Sequence, residues 1–250
     1  MTENHEKKRF SNWERRHKQN GISELVPAST VILIRDSAFG IEVLMLRKNS
    51  KVAFGGMWVF PGGKVDKKDE VLKANGKIDE VSTAKATAVR ETFEEASIAI
   101  DPIKMTCLSH WVPPGITPRR FSTYFFITPV TESSEVKIDD SEIIDYKWYS
   151  PENAIKSRDA GEIELAAPTW MSLNSLREYK KVDDAIESVK KKKPFFYETH
   201  IGEAPEGPVA MWLGDAGYAA GNPSIHGIRH RLTMTPNSYY FEQTADQESP

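Results

Sequence analysis

The sequence predicts an α+β fold, strands mixed with helices, followed by a small C-terminal β appendage. Three observations carry this expectation. Short runs rich in β-branched and aliphatic residues recur at 28–34, 41–46, 57–60, 106–112, 121–130 and 143–149. Between the third and fourth run the apolar period becomes helical, over 81–98, and helical patterns return at 169–180 and 183–193. The stretch 195–242 is instead rich in Gly, Pro and aromatic residues, with short alternations such as Ile228, His230, Leu232 and Met234.

Each element has a local reason. Residues 1–24 are polar and locally basic (Lys7, Lys8, Arg9, Arg15, Arg16, Lys18), with Phe10 and Trp13 the only large apolar groups before Ile22, and read as a loosely held arm. The runs 28–34 and 41–46 flank the turn-like Asp36 to Gly40 and form a hairpin. The run 57–60 stops at Pro61, Gly62 and Gly63, because proline lacks a donor and glycine permits unusual backbone angles. Thr169, after Pro168, is the expected N-cap of one late helix; the next carries Asp183 and Asp184 at its start and Lys190 to Lys193 at its end, complementing the helix dipole. These breaks divide the chain into an arm (1–24), a main domain (25–193) and a β-rich extension (194–250) whose polar tail after Phe241 frays.

With 250 residues, 39% hydrophobic and 28% charged, the chain is neither a disordered polymer nor a membrane bundle. A net charge of −3 and a pI near 6.1 supply no global positive field for nucleic acid, so any basic recognition is local. Cys107 stands alone and forms no internal disulfide. The opening MTENHEKKRF lacks the apolar stretch of a secretory signal, and the ending Glu248, Ser249, Pro250 is not a peroxisomal address; the expected location is cytoplasmic.

The most informative segment is Arg90, Glu91, Thr92, Phe93, Glu94, Glu95. At about 100° per residue the three glutamates share one arc of a helix, while Ala86, Val89, Phe93 and Ala96 share another and are expected to dock on the sheet. A solvated charged face is the ordinary explanation of such a cluster. Here its energetics are poor: Arg90 precedes Glu94, the weaker order for a pair, Glu91 and Glu95 repel at i,i+4, and all three acids approach the negative end of the helix dipole. A divalent cation reverses each of these signs. Carboxylates are hard ligands, so the ion expected is magnesium or manganese, Mg²⁺ or Mn²⁺.

Gly63 followed by this segment resembles the box of the Nudix hydrolases: glycine, five residues, glutamate, seven residues, then Arg-Glu, two residues and Glu-Glu. There are three departures. Gly63 lies twenty-seven residues before Arg90 rather than fourteen, so about thirteen are inserted within 67–80. Counted back from Arg90, the first glutamate falls on Ser82, which leaves Glu80 or Asp66 to supply the acid. Ser97 stands at the closing glycine, and Thr92 at an apolar position. The strings Gly55 to Gly63, His110, Trp111 and Pro118 to Phe121 are similar to the Nudix branch that contains the peroxisomal coenzyme A diphosphatase.

The resemblance implies a mixed β-sheet sandwiched between helices and metal-dependent hydrolysis of a diphosphate bond in a nucleotide-linked small molecule, first coenzyme A or acyl-CoA, with ADP-ribose or NADH as the alternative. It gives Glu94 and Glu95 as metal ligands, Glu91 as ligand or base, Arg90 as the group orienting a glutamate, and the Gly62, Gly63 backbone as the element approaching substrate. Glu142, before the strand of Trp148, is the candidate acid from outside the box. Arg119 and Arg120 are candidate phosphate clamps, and Trp111 or Trp58 a stacking surface for adenine. The spacing of His226 and His230 does not make a zinc site across Gly227. Two further classes compete: a catalytically silent nucleotide sensor, suggested by Ser82, and a protein-interaction domain using the appendage, which also offers a surface for a homodimer contact.

Overall fold

The computed structural model describes residues 5–51, 54–131 and 133–244. In chain order its elements are α1 (His5–Asn20), β1 (Leu25–Ser37), β2 (Gly40–Lys48), β3 (Trp58–Val59), β4 (Gly62–Lys64), a 3-10 turn (Lys67–Asp69), α2 (Glu80–Ala96), β5 (Thr106–Val112), β6 (Arg120–Pro129), β7 (Ile143–Tyr149), α3 (Pro151–Asp159), α4 (Ala167–Leu176), α5 (Val182–Lys191), β8 (Phe195–Glu198), β9 (His200–Ala204), β10 (Gly207–Met211), β11 (His230–Met234) and β12 (Tyr239–Gln243). The fold is α+β, with a mixed sheet, helices and a separate antiparallel sheet. Among the described residues no helix is long and apolar enough to cross a membrane. The polar tail beyond 244 lies outside the described residues.

The chain forms two compact units. The first, 26–110 with 122–195, holds strands in the order β3-β2-β1-β6-β5, with β4 added to β1 and β7 to β2. Strand alternation assigns one row of β1 and β2 (Val31, Leu33, Leu44, Leu46) to a core shared with Ala84, Ala88 and Ala96 of α2. The opposite row, Ile32, Ile34, Val43 and Met45, is also fully buried, so both faces of the sheet are covered; α3 packs against β2 and β7. Each such side chain contributes about 1.5–3 kcal/mol by leaving water.

The face of α2 that meets the sheet follows the expectation at Ala96 and Val89 and departs from it at Phe93. Phe93 is 60% exposed, whereas Thr83, Ala84, Thr87, Ala88, Thr92, Glu95 and Ala96 are buried. The reason is chemical. Thr92 donates its hydroxyl to Ala88 O, and the Thr87 hydroxyl is shared between Thr83 O and Asp69, so neither is buried without a partner, and their size lets the helix sit close to the strands. Glu95 therefore turns inward, Glu91 is partly covered and Glu94 stays at the surface. The helix ends where Ser97 adopts φ 57, ψ 25, the left-handed geometry for which glycine is suited. Ser97→Gly is expected to relieve about 1 kcal/mol of backbone strain, less about 0.5 kcal/mol for the lost bond from Ser97 Oγ to Lys137 O, and so raise the melting temperature by 1–2 °C in a calorimetric scan.

Two other local readings change. α4 starts at Ala167 with no side-chain cap, Pro168 lies in its first turn, and Thr169 is buried inside the helix rather than capping it. α3, which hydrophobic periodicity does not reveal, is announced by Ser150 and Pro151: Ser150 Oγ accepts from Asn153 N–H and proline fills the first helical turn.

The second unit comprises 5–25, 111–121 and 196–244. Its sheet runs β12-β11-β10-β9, antiparallel throughout. The segment read as a loose arm is a sixteen-residue helix instead. Phe10 packs edge-on against Trp13, and the buried Glu6 carboxylate accepts from Arg9 and from the Tyr239 hydroxyl, fastening α1 to β12. Charge pattern alone conceals this, because the partner of Glu6 lies at the other end of the chain.

Candidate active site

The site is built where β4, the 3-10 turn and the inward face of α2 meet. β4 pairs with the first half of β1, placing Gly62 opposite Thr30 and Gly63 opposite Ser29, and Thr30 Oγ1 donates to Pro61 O at 2.7 Å. Both glycines are needed for close approach. A Cβ on Gly63 would stand 2.3 Å from Glu91 Oε1, and one on Gly62 would stand 2.4 Å from Ser29 O. The Glu91 carboxylate therefore rests on bare backbone.

Arg90 gathers the acids on one side. Its Nε and Nη2 reach Asp69 at 2.9 and 2.8 Å, and its Nη1 reaches Glu91 and Glu94, each at 2.8 Å. Asp69 also accepts from Asp66 N–H and the Thr87 hydroxyl; burial opposes its ionisation, but these bonds outweigh burial and hold its carboxyl below the usual range. Lys48 gathers the acids on the other side. Its ammonium lies 2.7 Å from Glu95 and 2.6 Å from Glu142, while the second Glu95 oxygen accepts from Gly62 N–H at 2.9 Å. Burial pushes both the Glu95 and the Glu91 carboxyls upward, with Lys48 and Arg90 respectively pulling against it.

This arrangement corrects two expectations. Glu80 and Asp66, the expected substitutes for the first acid of the box, make other contacts: the Glu80 carboxylate meets the Tyr124 hydroxyl, and Asp66 caps the 3-10 turn. The acid that meets Arg90 from ahead of α2 is Asp69. It stands after five intervening residues from Gly63, the spacing of the box counted forward rather than backward from Arg90, and the segment between it and α2 holds the turn closed by the Leu72–Ile78 bridge. Nor do Glu91, Glu94 and Glu95 converge on one point. Arg90 holds the first two and Lys48 holds the third, and among the described residues no three acidic, histidine or cysteine side chains form a ready-made ion cage. The donor set nonetheless fits a hard divalent cation: Asp69, Glu91, Glu94, Glu95 and Glu142 outnumber Arg90 and Lys48, and the oxygens of Glu94 and Glu142 are half-exposed.

Other candidates stand elsewhere. Trp111, 5% exposed, belongs to the second unit, where its ring stacks on Tyr197 at 3.9 Å and meets Trp212 edge-on; it is core rather than a free stacking surface. Trp58 is likewise buried, edge-on to Tyr149. Arg120 donates to Ser23 O and Pro113 O and so braces its own loop, whereas Arg119 is exposed beside a cavity of 330 Å³ with Arg16, His17 and Thr117. Lys48 was missed: it is the charged member of an apolar row, and only the strand's alternation could have flagged it.

The NUDIX domain family model matches residues 25–173, more than half of the chain. The chain belongs to the Nudix family. A Caenorhabditis elegans protein carrying the name nudix hydrolase 7 is 27% identical to this Nudix chain over 181 residues, 61% of each. Human acyl-coenzyme A diphosphatase NUDT19 is 33% identical over 78 residues, 30% of this chain and 21% of that protein. The Nudix chain thus spans about three fifths of the first relative and about one fifth of the second. The crystal structure of a NUDIX hydrolase from Alicyclobacillus acidocaldarius shares the fold, with a TM-score of 0.59 at 22% identity over 66% of this chain and 96% of that one.

Proposed function

We propose that this Nudix chain is a metal-dependent pyrophosphohydrolase that cleaves the diphosphate bond of a nucleotide-linked substrate, with coenzyme A or an acyl-CoA the first candidate. The observation that carries this reading is the Glu91 carboxylate seated on the bare backbone of Gly63, with Glu94, Glu95 and Glu142 gathered around it by Arg90 and Lys48. The similarity to NUDT19 supports the choice of coenzyme A.

Glu94 and Glu95 would hold Mg²⁺ or Mn²⁺, with Glu91 as a further ligand or as the base and Glu142 joining them. Such an ion, when bound, lowers the pKa of a coordinated water and neutralises charge on the diphosphate. The chain's own part is to prepare the place. Arg90 aligns Glu91 with Glu94, and Asp69 locks Arg90 so that the guanidinium cannot swing toward solvent. The raised carboxyl of Glu91 suits it to take a proton from an attacking water. The sensor alternative loses its motive, because Asp69 supplies the acid absent at Ser82.

The test is a panel of coenzyme A, ADP-ribose, NADH and nucleoside triphosphates incubated with Mg²⁺ or Mn²⁺, with products separated by chromatography. Release of 3′,5′-ADP from coenzyme A is expected. Cleavage of ADP-ribose or NADH alone would replace the substrate, and an inert panel would overturn the enzymatic reading.

A further inference from the structure

In the row that β2 turns toward α2, Leu44 and Leu46 are followed by Lys48, 6% exposed. A lysine is almost never this buried unless paired, and a methionine there would complete the apolar row. The ammonium instead reaches two carboxylates that arrive from different parts of the chain, Glu95 near the end of α2 and Glu142 just ahead of β7. Its aim is built into the backbone. Alternation keeps Lys48 in the row of Leu44 and Leu46, and the partner strand bends to meet it: Arg47 faces Asp145 but Lys48 faces Ile143, so β7 carries the extra residue, Ile144, next to Glu142. Lys48 N–H donates to Met57 O, Gly56 N–H to Lys48 O, and Asn49 N–H to Glu142 O, so lysine and glutamate are fixed by main chain as well as by charge. The Glu142 side chain is itself 51% exposed, and an exposed glutamate left to itself samples several rotamers.

We propose that Lys48 is a positioning residue for the reaction: its ammonium ties Glu142 to Glu95, so that the acid from outside the box faces the same ion as the box carboxylates. This rests on the metal-dependent reading above and adds to it a residue that acts through two others.

The experiment is a double-mutant cycle read by Mn²⁺ binding. Mn²⁺ alone is titrated into the intact protein and the free ion is followed by its paramagnetic resonance, for the parent, Glu142→Gln, Lys48→Met and the double variant. Glu142→Gln is expected to weaken binding on the order of tenfold in the parent. In the Lys48→Met background it is expected to change binding less than about twofold, because Glu142 is already released. Turnover of whichever panel substrate the parent cleaves is expected to fall in Lys48→Met through kcat, with KM within about twofold. Lys48→Arg keeps the charge and two donors, so it restores the sensitivity to Glu142→Gln, and it serves alone if Lys48→Met does not fold. Equal weakening by Glu142→Gln in both backgrounds, no weakening in the parent, or an insensitive Lys48→Arg protein overturns the proposal and leaves the hydrolase standing. A parent that neither binds Mn²⁺ nor hydrolyses any substrate overturns both.

Discussion

Glu94→Gln is expected to reduce diphosphate hydrolysis by on the order of 10²- to 10³-fold while moving the melting temperature by no more than about 2 °C. The contrast follows from where Glu94 stands. Its side chain is 49% exposed and its carboxylate meets Arg90 at 2.8 Å and Lys68 at 3.5 Å. Exposed pairs of this kind contribute about 0.2–1 kcal/mol, and glutamine keeps one acceptor for Arg90. What glutamine cannot keep is the charge. Initial rates with Mg²⁺ or Mn²⁺, beside a melting scan and a Glu135→Gln surface control, separate the two effects. Activity within threefold of the parent would remove Glu94 from the site, and a melting point lowered by 8 °C would show that the residue serves the fold.

The second large effect is on stability and lies in the second unit. Asp215→Ala is expected to cost about 3–5 kcal/mol there, the usual result of removing one partner of a buried ion pair. The Asp215 side chain is fully buried and accepts from Arg231 Nε at 2.7 Å, from Arg231 Nη2, and from the N–H groups of His230 and Gly217 at 2.9 and 2.8 Å. Its removal strands the Arg231 charge, 5% exposed, with Pro223 O as a remaining acceptor. The same bonds set a pH dependence. Burial opposes the Asp215 charge, but Arg231 and the two N–H groups outweigh burial and hold the carboxyl below its ordinary 3.8. A depressed native value means that the contribution is complete above pH 3.8 and is lost as pH falls through the native value. Near-ultraviolet circular dichroism from pH 6 to pH 2 should show the parent losing its aromatic signal only at the acid end. The variant should lose it under milder heating at pH 6, with the gap to the parent narrowing toward pH 2, and a cost below about 1 kcal/mol at pH 6 would refute the argument.

Much of this molecule is legible from its residues, and the illegible parts share a cause. The strands at 106–112 and 143–149 and the box from Gly63 to Glu95 are local patterns, and local patterns survive folding. The inward face of α2 was misread because a hydrophobic wheel scores Thr83, Thr87 and Thr92 as polar. Two of those hydroxyls bond the helix's own carbonyls, which leaves small side chains that pack better than Phe93. Asp69 was hidden by counting from the wrong end of an insertion. Lys48 joins acids forty-seven and ninety-four residues away, and nothing near it in sequence announces either.

The hydrogen bond between Tyr239 and Glu6 spans 233 positions. That contact forms only once residue 239 has been made, and long-range closure of this sort is slow to form. A nascent chain paused before Tyr239 can already pair Lys7 of α1 with Glu203, but it leaves the Glu6 carboxylate without its hydroxyl donor.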